Sequence, residues 1–256
     1  MKTIPYLIIF ILVNFCIFNM EAQINSTSQK TYKLPKLDEH SLVKDSLGKK
    51  LEYTAWTSLV ATGRYEVRVV LMPDGRGSLR TVKLTKAERA LKAALMPKLA
   101  DSPYFTTGEA IKYVFKEKDI NGDWWDAKRL KGKIVVINFW YINSMYCRSQ
   151  IPDLNEVAAS YKNDPNVVFL SVAMDDKKAI EEFLQYNPFD YKHIEKGVRI
   201  SQKLGVVNHP TDLILDQAGK VQYHTTGYSP ANFYWISKTI EKLRLTVNYG
   251  DTVLVK

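Results

Sequence analysis

Apolar strand-like runs alternate with helical patterns along the second half of this 256-residue chain, and that order constrains its fold more than any other feature. We predict strands over 133–141, 167–173, 212–215 and 221–225, and helices over about 144–162, 176–186, 198–204 and 230–245. The first strand–helix–strand part requires a crossover and hence parallel strands, whereas the later strand–strand–helix part adds a hairpin. The chain is therefore expected to be an α/β protein with a mixed central sheet flanked by helices.

A smaller unit of β+α character is expected before this region, over residues 51–114. Thr62–Met72 alternates apolar and polar residues, and Ser78–Leu84 follows a Pro/Gly-containing turn, so the two runs predict a β-hairpin. Thr85–Leu99 is predicted as a helix, with its first residue as N-cap and Glu88 completing a capping box. No residue pattern in this N-terminal domain indicates a reaction.

Residues 1–22 have the pattern of a secretory signal, with Lys2 ahead of the apolar run Ile4–Phe18. The alternative is an uncleaved anchor, although the run is shorter than the roughly 20 apolar residues that a membrane span needs. We therefore expect an exported protein of the periplasm or cell envelope of a bacterium, membrane-anchored only if this segment is retained. The remaining segments are predicted as a linker or arm over 23–50 and a β-like tail over 246–256.

The chain contains two cysteines, Cys16 and Cys147. If Cys16 is removed with the signal, one cysteine remains, and no intramolecular disulfide can form. A lone thiol in an oxidising compartment has to be buried, capped, bound to metal or paired with another molecule.

The net charge of +9 comes from lysines and arginines that are dispersed along the chain. Dispersed charge is typical of a solvated surface, although anionic lipid, polysaccharide or an acidic partner is an alternative. The sequence contains no nucleic-acid recognition motif, so nucleic acid is not an expected partner.

A set of short motifs follows the predicted strands in a characteristic order. The motifs are Phe139-Trp140, Ser144-Met145-Tyr146-Cys147-Arg148, Pro152, His209-Pro210-Thr211 and Asp216-Gln-Ala-Gly-Lys220. Together they resemble the TlpA/ResA-like thioredoxin-fold (redoxin) family over residues 115–245. The resemblance implies a thioredoxin-like fold, a hairpin turn at 119–122, a cis peptide bond before Pro210, and thiol–disulfide oxidoreductase activity.

The chain departs from the family pattern at the residue that attacks disulfides. The family has Cys-x-x-Cys-Arg at the start of this helix, and the resemblance places Ser144 at the first cysteine and Cys147 at the second. Disulfide exchange requires a thiolate, and a serine hydroxyl stays protonated at neutral pH. Ser144 is more simply explained as a helix N-cap. As a nucleophile it would need His209 as a base, and no acid is evident to orient that histidine.

Two further positions associated with proton transfer carry amides. The resemblance places Asn138 where thioredoxins have a buried aspartate, and Gln150 where ResA-like proteins have a proton-handling glutamate. TlpA-like proteins often have asparagine at the first position, so Asn138 alone says little. Together with the absent cysteine, the two amides indicate a redox-degenerate member of the family.

Several roles for Cys147 are open at this point. It can be a buried, inert thiol, or it can act alone in mixed-disulfide exchange or peroxide reduction. A soft metal site made of Met145, Cys147 and His209 is a weaker alternative. No cofactor and no metal are expected.

Aromatic residues gather near the same motifs, with Tyr141 beside the predicted site and Trp124 and Trp125 as further candidates. We expect a binding groove formed by Trp140, Tyr146, His209, Pro210 and Thr211. Such a groove can take an extended peptide or protein partner in the envelope by strand addition. Two hypotheses result: a binding or scaffolding module without redox turnover, and a residual monothiol oxidoreductase or peroxidase acting through Cys147.

Overall fold

The computed structural model describes residues 36–111 and 116–250, which belong to one compact unit. The helices are α1 (Tyr53–Ala61), α2 (Lys86–Leu95), α3 (Ala127–Leu130), α4 (Met145–Ser160), α5 (Lys177–Leu184), α6 (Val198–Leu204) and α7 (Asn232–Gly250). The strands are β1 (Tyr65–Leu71), β2 (Gly77–Lys83), β3 (Lys116–Lys118), β4 (Trp124–Asp126), β5 (Ile134–Trp140), β6 (Val167–Ala173), β7 (Lys192–Ile194), β8 (Thr211–Leu215) and β9 (Val221–Thr226). The predicted signal lies outside the described residues.

The central sheet has five strands in the order β7-β6-β5-β8-β9. Strands β5, β6 and β7 are parallel, β8 is antiparallel to β5, and β9 is antiparallel to β8. All seven residues of β5 are buried, as expected for a central strand that is covered on both faces. The predicted mixed sheet with flanking helices is therefore confirmed.

The two faces of the sheet carry separate apolar clusters. Along β5, Val136 and Trp140 belong to the cluster that also contains Cys147 of α4 and Ile236 of α7. Ile137 and Phe139 of β5 belong to the opposite cluster, which includes Ile200 of α6. Because side chains of a strand alternate between faces, the position of a residue along β5 or β8 determines which helices it meets.

Most predicted elements are present, and the differences have local causes. Helix α1 was not predicted, because its preceding residue, Glu52, makes no side-chain capping bond. Strand β7 has only three residues and gives no alternation to detect. The predicted β-like tail is wrong over 246–250, because α7 continues to Gly250 and helix continuation outweighs the strand preference of Thr246 and Val247. Residues 251–256 lie outside the described part of the chain.

Part of the predicted linker over 23–50 is packed. Val43 is completely buried with Trp56 and Val67. The backbone of Lys44 donates to the carbonyl of Leu79 at 2.9 Å, and its own carbonyl accepts from the Thr81 N–H at 2.8 Å. From Val43 onward the segment therefore extends the β1–β2 hairpin, because it contributes both backbone hydrogen bonds and apolar burial.

Buried charges join the N-terminal hairpin and helix to α4. Arg64 bonds to Asp153 at 2.6 Å and to Glu156 at 2.9 Å. Arg89 of α2 also bonds to Asp153, reaches Glu156 at 2.7 Å, and lies 4.6 Å from the ring centre of Phe233. Two arginines of the N-terminal unit thus form ion pairs with α4, the helix that carries Cys147.

Replacing Arg89 with methionine is expected to destabilise the protein by about 3–5 kcal/mol, because Asp153 would remain buried with one cationic partner fewer. Urea unfolding followed by circular dichroism measures the change. The matched control is Arg76→Met, since Arg76 makes an ion pair on the exposed surface and its loss should leave the midpoint nearly unchanged. Equal unfolding midpoints for Arg89→Met and the wild type would contradict a stabilising role of the ion pairs between Arg89 and α4.

Candidate functional site

Ser144 caps the helix on which Cys147 lies. It has extended backbone angles (φ −80°, ψ 119°), and its Oγ accepts a hydrogen bond from the Cys147 N–H at 3.2 Å. This bond satisfies one of the free amide donors of the first helical turn. The expected N-cap role of Ser144 is therefore confirmed.

Cys147 is buried, with 1% of its surface exposed. Burial is the main cause that raises the pKa of its thiol, and the charges of Asp212 and Asp175 add to it. Hydrogen bonds with Ser144 and the Tyr141 backbone lower this pKa by less than burial raises it, but by more than either charge adds. Because the thiolate is the reactive form, this environment disfavours reaction at neutral pH.

Trp140 is a core residue, so its predicted place in the groove is wrong. Its side chain has no exposed surface, and its indole N–H donates to Ser171 Oγ at 2.6 Å. The rings of Phe183 and Phe189 lie 5.4 Å from it. Trp125 is also buried, but in the cluster on the opposite face of the sheet from Cys147.

The exposed apolar side chains at the start of α4 form what we term the apolar rim: Tyr141, Met145 and Tyr146. Tyr141 follows β5, its ring centre lies 5.8 Å from that of His209, and the two planes meet at 80°. Met145 and Tyr146 are the first two residues of α4, and both are more than half exposed. Of the predicted aromatic groove residues, Tyr146 is thus available to a partner.

Buried residues and hydrogen bonds stabilise the loop that precedes β8. The His209–Pro210 peptide bond is cis, and Pro210 is buried. Thr211 is buried as well, and its hydroxyl donates to the Asn208 carbonyl at 2.8 Å. The side-chain amide of Asn208 in turn donates to the Tyr104 hydroxyl at 2.8 Å. Thr211 therefore stabilises the loop by a hydrogen bond, whereas His209 contacts Tyr141 of the apolar rim.

His209 is half-buried, and its burial lowers the pKa of the imidazole. Its Nε2 has no hydrogen-bond partner among the described residues. A neutral imidazole without an orienting carboxylate is a poor general base for Ser144. Within the described residues there is also no cluster of three His, Cys, Asp or Glu side chains that could hold a metal ion.

The two amide positions behave differently. Asn138 is buried and donates from Nδ2 to Asp212 Oδ1 at 2.8 Å. Gln150 is 2% exposed, and neither its amide nitrogen nor its oxygen has a hydrogen-bond partner in the described part of the chain. Both residues are buried amides, but Asn138 is paired with a carboxyl group.

That carboxyl group, Asp212, was not identified from the sequence. It is 1% exposed and accepts a second hydrogen bond, at 2.6 Å, from Asn232 at the start of α7. Burial raises the pKa of Asp212 to about 7. The available signal was its position two residues before Ile214 in an apolar strand, because alternation places both on one buried face.

Comparisons with known proteins agree with this architecture. Residues 108–224 match the model of the AhpC/TSA family. ResA from Bacillus thuringiensis subsp. konkukian, a thiol–disulfide oxidoreductase, is 30% identical over 126 residues, which are 46% of this chain and 72% of the relative. The chain belongs to the TlpA/ResA-like redoxin family. ResA from Bacillus anthracis is 32% identical over 108 residues, which cover 42% of this chain and 62% of that protein.

A solved structure shows the same fold outside the ResA group. The solution structure of a candidate protein disulfide isomerase from Bacteroides thetaiotaomicron superposes with a TM-score of 0.51 at 17% identity. The match covers 57% of this chain and 94% of that protein. The thioredoxin-like fold of this redoxin is therefore established. Among its described residues, no helix has the length and apolar character needed to cross a membrane.

Replacing Ser144 with alanine is expected to cost about 1 kcal/mol of stability, because the Cys147 amide loses its capping acceptor. Ser144→Asp should retain most of the stability, since aspartate is an equally good N-cap. Thermal or urea unfolding of the two variants measures the difference. A Ser144→Ala protein as stable as the wild type would contradict the capping role.

Proposed function

We propose that this redoxin is an exported binding or scaffolding module that has lost dithiol turnover. Its family carries out thiol–disulfide oxidoreduction. In this chain the position of the attacking cysteine is Ser144, and the groove beside cis-Pro210 binds an extended peptide segment of an envelope protein. The apolar signal-like segment at residues 1–22 supports export, and a membrane anchor is retained only if that segment is not cleaved.

The observation that carries this proposal is the state of the remaining thiol. Cys147 is 1% exposed, and burial raises its pKa. Ser144, at the position of the family's attacking cysteine, accepts a hydrogen bond from the Cys147 amide. A resolving cysteine without an exposed partner thiol cannot complete a dithiol cycle, because the mixed disulfide has no second thiolate to release it.

The apolar rim supports the binding role. Exposed aromatic and methionine side chains beside an extended backbone edge are common features of peptide-binding surfaces. Here Tyr141 and Tyr146 provide rigid apolar area, and the loop beneath them is held by Tyr104 and Thr211. A surface that is supported in this way loses little conformational entropy when it binds.

The main test is insulin disulfide reduction with dithiothreitol as reductant, performed on the wild type and on Ser144→Cys. The wild type should not exceed the rate with dithiothreitol alone, whereas Ser144→Cys restores two thiols at the start of α4 and should accelerate it. Cys147→Ser in the Ser144→Cys background is the matched control and should be inactive. Wild-type turnover that Cys147→Ser abolishes would instead establish the monothiol oxidoreductase alternative.

Binding is tested with reduced and alkylated insulin B chain, an extended peptide without free thiols, by fluorescence anisotropy. Tyr146→Ser combined with Met145→Ser should weaken binding roughly tenfold, about 1.4 kcal/mol, because the rim loses its largest exposed contacts. Tyr186→Ser, which changes an exposed tyrosine outside the rim, is the control and should bind as the wild type does. Equal affinities of all three proteins for the peptide would contradict peptide binding at the apolar rim.

A further inference from the structure

Basic residues occupy matching positions on neighbouring strands of the N-terminal unit. Arg68 of β1 is paired with Arg80 of β2. Lys44 is paired with Arg80 at the other edge of β2, and with Lys50 across the turn that follows it. Because the side chains of paired residues lie on the same face of a sheet, these residues form one line, which we term the cationic row: Lys50, Lys44, Arg80 and Arg68.

The cationic row lies on the face of the hairpin opposite its apolar cluster. Val43, Val67 and Leu79 each directly precede a residue of the row, and all three pack in the cluster around Trp56. Since successive side chains of a strand alternate between faces, the row points away from that cluster. Lys50 is exposed, so the row begins at the protein surface.

Three of the four charges in the row have no anionic partner in the described part of the chain. Arg68 is neutralised, because it bonds to Glu66 and to Glu88 at the start of α2. No ion pair within residues 36–111 and 116–250 includes the other three residues of the row. Like charges at directly opposite positions destabilise a sheet. An anion bound along the row would remove this repulsion.

The guanidinium group of Arg80 is positioned at the middle of the row by neutral atoms. It donates to the Ser46 carbonyl at 3.1 Å and to the Met72 sulfur at 3.4 Å. A guanidinium group has five N–H donors, so these two bonds leave donors unused. The side chain is therefore oriented while its charge stays uncompensated.

The shape of the row indicates what kind of anion it fits. The cross-strand pairs beside it on the same face, Glu66–Val82 and Val70–Ser78, contain no cation, so the row is one residue wide. Neighbouring strands lie about 4.8 Å apart, so four positions span about 14 Å. A narrow line of charges matches a linear chain with repeated acidic groups better than a bilayer surface, which would contact a broad patch.

We propose that the cationic row binds a linear acidic polysaccharide. The acidic groups of successive sugars lie along the row, and binding releases the counterions that surround the polymer. The proposed export favours a polysaccharide over a nucleic acid as the polyanion. The row is distant in sequence from the apolar rim, and its binding is independent of peptide binding there. Its charges are dispersed over residues 44–80 of the sequence, and only strand pairing brings them into line.

The test is the binding of fluorescein-labelled polygalacturonate to the full chain, measured by anisotropy over a range of salt concentrations. Lys44→Gln combined with Lys50→Gln should weaken binding roughly tenfold at low salt and reduce the slope of log affinity against log salt by about 1, because two phosphate-like contacts are lost. The urea midpoint of this double variant should equal or exceed that of the wild type, since like charges are removed. A purely structural role of the two lysines would lower that midpoint and leave the salt slope in place.

Lys128→Gln combined with Lys131→Gln is the matched control, because it removes the same charge from two exposed lysines at α3. It should bind polygalacturonate as the wild type does. If the double variant of the row does not fold, Lys50→Gln alone replaces it and should weaken binding roughly threefold. Equal affinities of the row variant and the control would overturn the proposal. Row-dependent binding to phosphatidylglycerol vesicles without binding to polygalacturonate would overturn it as well, and would make the row a lipid contact.

Discussion

The antiparallel pairing of β8 with β5 fixes the geometry on which the rest of this site depends. Its register places Thr211 opposite Phe139 and Asp212 opposite Asn138. The first pair brings the cis-Pro210 loop beside the end of β5, where the chain turns into α4. The second pair places the Asp212 carboxyl group beside Asn138 within the buried sheet. A shift of one residue would move both side chains to the opposite face, so both features depend on one register.

The same arrangement is the basis of the proposed loss of dithiol turnover. In this family the thiol at the helix start is the exposed one, and the second thiol is shielded. With Ser144 at the first position, the cap remains and the exposed nucleophile does not. What remains is a capped helix start, the apolar rim and a buried thiol. These parts suit peptide binding better than disulfide exchange, because peptide binding needs only the exposed apolar rim.

Much of the fold was predictable from the sequence, and the part that was not has identifiable causes. The strands of the central sheet were evident because buried apolar runs such as Ile134–Ile137 are continuous. The capping box of α2 at Thr85 and Glu88 is a local signal and was read correctly. The burial of Trp140 and the packing of Val43 depend on contacts with residues distant in the chain, which no local pattern encodes. Asp212 was missed for a related reason: its importance lies in its cross-strand partner.

The central claim is that Cys147 is an enclosed thiol in the folded protein, and its rate of alkylation at pH 7 tests this most directly. The rate with iodoacetamide is measured by intact mass in buffer and again in denaturing urea. We expect the folded protein to react at least about 100-fold more slowly, because burial restricts access and raises the pKa of the thiol. A folded protein that reacts as fast as the unfolded chain would contradict the account and make Cys147 an accessible, working nucleophile.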